Sequence, residues 1–205
     1  MRTVLALGSA LVLTLASAPA EAQGLKVVAL GTSFTAGSFV TNDKIWTAKL
    51  QQLLAARGEP AQVVNAGVAG ETTRNLLARM DASVPEGTAV AILEYSVVND
   101  DRGGISFKET VANVEKMALR LLARARPPQV VLFIRGRNDK DLRANQASFQ
   151  PLIDQKHLGY VTAITDYYGP GLHPSAQSHA QYAERLAPVV GERLAHAREA
   201  SAKSP

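Results

Sequence analysis

A chain of 205 residues without a single cysteine has to hold its fold without disulfides, and thiolate chemistry is excluded. Its formal net charge of +4 arises from 22 basic and 18 acidic residues spread along the sequence, which reads as a solvated surface and not as a nucleic-acid-binding face.

The first 22 residues stand apart from the rest. Met1-Arg2 is followed by an apolar run from Val4 to Leu15 and by the small-residue segment Ala16-Ser17-Ala18-Pro19-Ala20-Glu21-Ala22. A basic start, a short apolar core and an Ala-x-Ala site make a secretory signal peptide over 1–22, cleaved after Ala20 or Ala22. The apolar run falls short of the ~20 residues that span a bilayer, so no stable membrane anchor is expected. The protein is expected in the periplasm or outside the cell. What remains suits one domain with a full core, over 24–197, followed by a polar, frayed tail over 198–205.

Strand-like and helix-like segments then alternate. Lys26 to Leu30 is a short apolar run closed by Gly31. Between Lys44 and Arg57, Ile45, Ala48, Leu50, Leu53 and Leu54 recur at helical spacing, and Gly58 stops the pattern. Gln62-Val63-Val64 predicts a second strand, Thr72 to Met80 a helix, and Ala89 to Leu93 a third strand. Ser106 to Arg124 carries apolar residues every three or four positions and ends at Pro127-Pro128. Val130 to Ile134 predicts a fourth strand, Asn145 to His157 a helix, Tyr160 to Ile164 a fifth strand, and Ser175 to His196 a last helix with Pro188 inside it. Continuous apolar strands separated by amphipathic helices predict a five-stranded parallel sheet covered on both faces, a three-layer α/β/α fold of the flavodoxin-like kind.

In open parallel sheets, sites lie beyond the carboxyl ends of the strands. The first predicted strand is followed by Gly31-Thr32-Ser33-Phe34-Thr35-Ala36-Gly37 and the second by Asn65-Ala66-Gly67-Val68-Ala69-Gly70-Glu71-Thr72. The third is followed by Val97-Val98-Asn99-Asp100, and the fifth by Gly171-Leu172-His173-Pro174. A serine, a Gly-rich turn, an asparagine and a histidine at one sheet edge are the parts of acyl transfer: a nucleophile, its base and donors to an oxyanion. Phosphate-binding readings fail on detail. No Gly-Lys-Ser/Thr follows the first strand, and Asn65-x-Gly67-x-x-Gly70 lacks the first glycine of a dinucleotide fingerprint.

The order and placement of these segments resemble the SGNH (GDSL-type) hydrolases over nearly the whole chain after residue 22. GTSFTAG resembles the family's Ser block, NAGVAGETT its Gly block, VVND its Gly-x-Asn-Asp block and GLHPSAQSH its His block. The resemblance implies Ser33 as nucleophile, His173 as base, and Gly70 and Asn99 as oxyanion-hole donors. It also implies ester hydrolysis with neither a metal nor another cofactor. The partner is then a small-molecule or glycan ester. Cleavage of carboxylic esters is the leading reading, with glycan O-deacetylation and a catalytically decayed binding protein as its rivals.

Three positions depart from the family pattern. Thr32 stands where the family has Asp, Val97 replaces the Gly of the third block, and Pro170 occupies the place of the triad acid. Asp166, the nearest carboxylate, is the expected substitute. Gly136-Arg137-Asn138-Asp139 matches the third block better than VVND does, but it follows the fourth strand, and Asn138 is assigned to a turn. Arg135 and Arg137 end the fourth strand, where a basic pair could hold an anionic substrate group, but solvated loop charges are the favoured reading, and His157, His179 and His196 read as surface residues. Gly67 reads as a residue that only permits a tight turn.

Overall fold

The computed structural model describes residues 24–164 and 173–203. Residues 1–22, expected as a signal peptide, and Asp166 and Pro170 lie outside the described residues. Five strands form the sheet: β1 (Leu25–Gly31), β2 (Ala61–Gly67), β3 (Val90–Glu94), β4 (Gln129–Gly136) and β5 (Gly159–Ile164). Their order is β2-β1-β3-β4-β5 and every neighbouring pair is parallel, as the uninterrupted apolar strands predict.

Strand alternation divides the core in two. Val27, Ala29, Ile92, Val131 and Phe133 point to one face. There they pack against α2 (Trp46–Ala56) and α7 (Ala176–Ala202) through Trp46, Leu50, Tyr182 and Leu186. Val28, Leu30, Ala91, Leu93 and Leu132 point to the other. Their partners there are α3 (Thr73–Ser83), α5 (Phe107–Leu122) and α6 (Asp139–Lys156), with Leu76, Met80, Met117 and Phe149. Among the described residues no helix is long and apolar enough to cross a membrane.

Two short helices, α1 (Ser33–Ala36) and α4 (Val97–Arg102), occupy segments the sequence leaves as loops. Four to six residues are too few to show a helical period. α6 begins six residues before the expected Asn145, because the Asn138 side chain caps it by accepting from the Asp141 N–H at 2.9 Å. The opening Asp139-Lys140-Asp141 is polar and carries no apolar signal. α7 extends past His196 to Ala202, and Arg198 pairs with Glu59, so the start of the expected tail is helical.

From β1 the chain moves to β2 on one side, while β3 lies on the other. The carboxyl ends of β1 and β3 therefore flank the point where the winding reverses, the place at which such sheets leave a crevice.

Candidate active site

Ser33 opens α1 directly beyond β1 and is only 7% exposed. The tight packing of this turn dictates two glycines. A Cβ on Gly31 would overlap the Thr35 hydroxyl and the Glu94 carboxylate, and one on Gly67 would overlap the backbone N of Ala36. Gly67 thus serves close approach between β2 and α1, not a tight turn, which corrects the sequence reading. Asn65 closes the contact, donating to the Thr35 carbonyl at 2.6 Å.

Beneath the turn lies a charged pair that the sequence reading missed. The side chain of Glu94, at the end of β3, is fully buried. It accepts from the Thr32 N–H at 2.6 Å, from the Thr32 hydroxyl at 3.1 Å and from the Thr35 hydroxyl at 2.9 Å. Arg135, at the end of β4, pairs with it and donates to the Tyr95 carbonyl at 2.6 Å. Arg135 is 9% exposed and its guanidinium carbon lies 3.6 Å from the centre of the Phe34 ring. It is no solvated loop charge. Burial is affordable here because an opposite charge and three hydroxyl or amide donors converge on the carboxylate. A signal was present. The apolar runs ending in Glu94 and Arg135 lie side by side in the sheet, with Glu94 in register with Phe133, two residues before Arg135. Arg137 is exposed and pairs with Asp141, as its loop setting suggests.

The loop after β2 is held from three sides. Arg79 donates to the Gly31 and Ala66 carbonyls at 3.0 and 2.9 Å and pairs with Glu71. The Asn99 amide donates to the Glu71 carbonyl at 2.9 Å. Asp100, fully buried, accepts from the Thr73 N–H at 2.7 Å and from the Thr73 and Thr110 hydroxyls at 2.6 Å each. Gly70 sits in this loop at φ 82°, left-handed backbone that glycine adopts without strain.

His173 packs against Phe34 and Phe39, with ring centres 5.8 and 4.9 Å apart. Its Nδ1 is buried and has no hydrogen-bond partner among the described residues. His179, expected on the surface, is fully buried: its Nδ1 accepts from the Trp46 N–H at 3.3 Å. Burial, then the charges of Arg135 and His173, push its pKa down to about 4, so it stays neutral. Its position on the inner face of α7 explains the miss, since a histidine in a polar helical stretch reads as exposed. His157 and His196 are exposed.

Ser33, Asn99 and His173 line one cleft of about 760 Å³. Val97, Val98, Ile105 and Phe107 give the cleft an apolar lining, and Arg135 and Arg137 line it too. Neither Gly70 nor Asn138 is part of the cleft wall.

Residues 29–187 match the model of the GDSL-like lipase/acylhydrolase family. The chain belongs to this family. It is 34% identical over 132 residues to esterase TesA of Pseudomonas aeruginosa, covering 64% of the chain and 63% of that protein. It is 32% identical over 92 residues to an arylesterase of Vibrio mimicus, covering 45% and 46% respectively. The matched stretches thus span less than two thirds of these curated relatives. The crystal structure of TesA superimposes with a TM-score of 0.68 at 24% identity, covering 82% of this chain and 99% of that one, which shows the shared fold.

Two family departures acquire physical content. Thr32 offers a hydroxyl donor to Glu94, where the family's Asp would bring a second carboxylate. Val97 places an isopropyl group in the cleft wall, where glycine would leave space.

Proposed function

We propose that this GDSL-family chain is an exported serine esterase that cleaves carboxylic esters through an acyl-enzyme. The observation that carries the reading is the meeting of Ser33, Asn99 and His173 in one cleft, from three separate segments of the chain. Ser33 Oγ attacks the ester carbonyl while His173 takes its proton through Nε2. The oxyanion is held by the N–H groups of Ser33 and Gly70 and by Asn99. One N–H of the Asn99 amide is used on Glu71, which leaves the second to donate. His173 then returns the proton to the departing alcohol, and water releases the acyl group by the same route.

The base needs Nδ1 protonated and held, so that Nε2 can accept. Asp166 is the group proposed to hold it. Asp166→Asn should then lower turnover by at least ~10²-fold through the wrong tautomer, with little change in Tm. Turnover within about tenfold of wild type would leave Ser33 and His173 as a dyad.

The apolar lining formed by Val97, Val98, Ile105 and Phe107 favours an ester with an apolar acyl group over a glycan acetate. A series of nitrophenyl esters of rising acyl length, compared with acetylated polysaccharide, tests this through kcat/KM. A maximum at two carbons together with release of acetate from the polysaccharide would transfer the assignment to a glycan deacetylase. Export is tested by the intact mass of protein from the native route, which should lack residues 1–20 or 1–22. A full-length cytoplasmic product would refute it.

A further inference from the structure

We propose that the Glu94–Arg135 pair is a positioning device for the nucleophile turn and not a requirement of the fold; this rests on Ser33 being the nucleophile. A buried ion pair is a weak source of stability, since well-packed apolar residues of similar volume often replace one without loss. Its use must therefore be sought in what it touches. Apart from Arg135, the partners of Glu94 are Thr32 and Thr35, one residue before and two after Ser33. Arg135 reaches the Tyr95 carbonyl, at the start of the segment that delivers Asn99, and covers the Phe34 ring. His173 packs near that same ring. The residue following the nucleophile thus meets both the guanidinium and the base, and the residues around Ser33 are tied to one carboxylate. This fixes where Ser33 Oγ and the Ser33 N–H point relative to His173. The adjacent strands β3 and β4 supply both halves of the pair, so the rigid sheet is the reference against which the turn is set.

Three variants separate positioning from folding. Glu94→Gln keeps the shape and strands the guanidinium, so it lowers both Tm and turnover. Glu94→Gln/Arg135→Met removes both charges and restores apolar packing. Thr35→Val deletes one hydroxyl donor and keeps the shape. Each is measured for Tm, for kcat and KM on a nitrophenyl ester, and for the rate of fluorophosphonate labelling. The expected result is that the double variant regains Tm while its kcat stays down by ~10²-fold with KM within about threefold, the size of loss a misplaced reacting group produces. Thr35→Val should lose roughly tenfold in kcat on the same grounds, with unchanged KM. If the double variant does not fold, Thr35→Val decides alone. Recovery of kcat to within about threefold in the double variant, or wild-type kcat in Thr35→Val, overturns the proposal. Wild-type protein that is not labelled at Ser33 would instead remove the reading on which it rests.

Discussion

Asn99-Asp100 follows β3 and Asn138-Asp139 follows β4, so the same dipeptide leaves two adjacent strands of one sheet. After β3, the Asn99 amide reaches the Glu71 carbonyl, and Asp100 is buried beneath two threonines. After β4, the Asn138 side chain turns back on its own helix to cap α6, and Asp139 stays exposed in the first turn. The flanking sequence Gly-Arg-Asn-Asp fits the family pattern better than Val-Val-Asn-Asp, yet of the two asparagines Asn99 lines the cleft and Asn138 does not. What a motif can do depends on the strand that delivers it and on what its side chains meet, and matching letters alone would select the asparagine outside the cleft.

The sharpest break between the two copies is expected in turnover. Asn99→Ala should lower kcat by ~10²–10³ through loss of one oxyanion donor, with Asn138→Ala near wild type. Steady-state kinetics on both variants checks this, and the reverse ranking would move the third block to β4. Next in size is the effect of the buried aspartate on stability. Asp100→Ala leaves the Thr73 N–H and hydroxyl without their acceptor and the Thr110 hydroxyl with the Ser106 carbonyl at 3.3 Å alone, and should cost about 3 kcal/mol, seen as a lower urea midpoint. Equal urea midpoints for Asp100→Ala and wild type would mean that the network does not anchor the loop. Smallest is the cap: Asn138→Ala should cost about 1 kcal/mol of stability. A loss of activity without that loss of stability would contradict its role as a helix cap.

The two copies also mark what could be read in advance. The five strands and the principal helices follow from continuous apolar runs and helical spacing, so the sheet and its layers were legible. The segments bearing Ser33, Gly70, Asn99 and His173 could be placed because each directly follows a strand or opens a helix. The short helices α1 and α4 were not, since a helix of one turn leaves no periodic trace. Glu94 and Arg135 were missed because each charge ends an apolar strand, and only the sheet register brings them together. His179 was missed because burial at one position of α7 depends on Trp46 in a helix far away in sequence.

The central claim is that Ser33 is a nucleophile, and active-site labelling tests it most directly. Wild-type protein treated with a fluorophosphonate should gain a single adduct on the peptide carrying Ser33 and lose ester hydrolysis in proportion. Folded Ser33→Ala should take up no label and hydrolyse no ester. A folded Ser33→Ala protein that still turns over, or an adduct on another residue, would contradict the account.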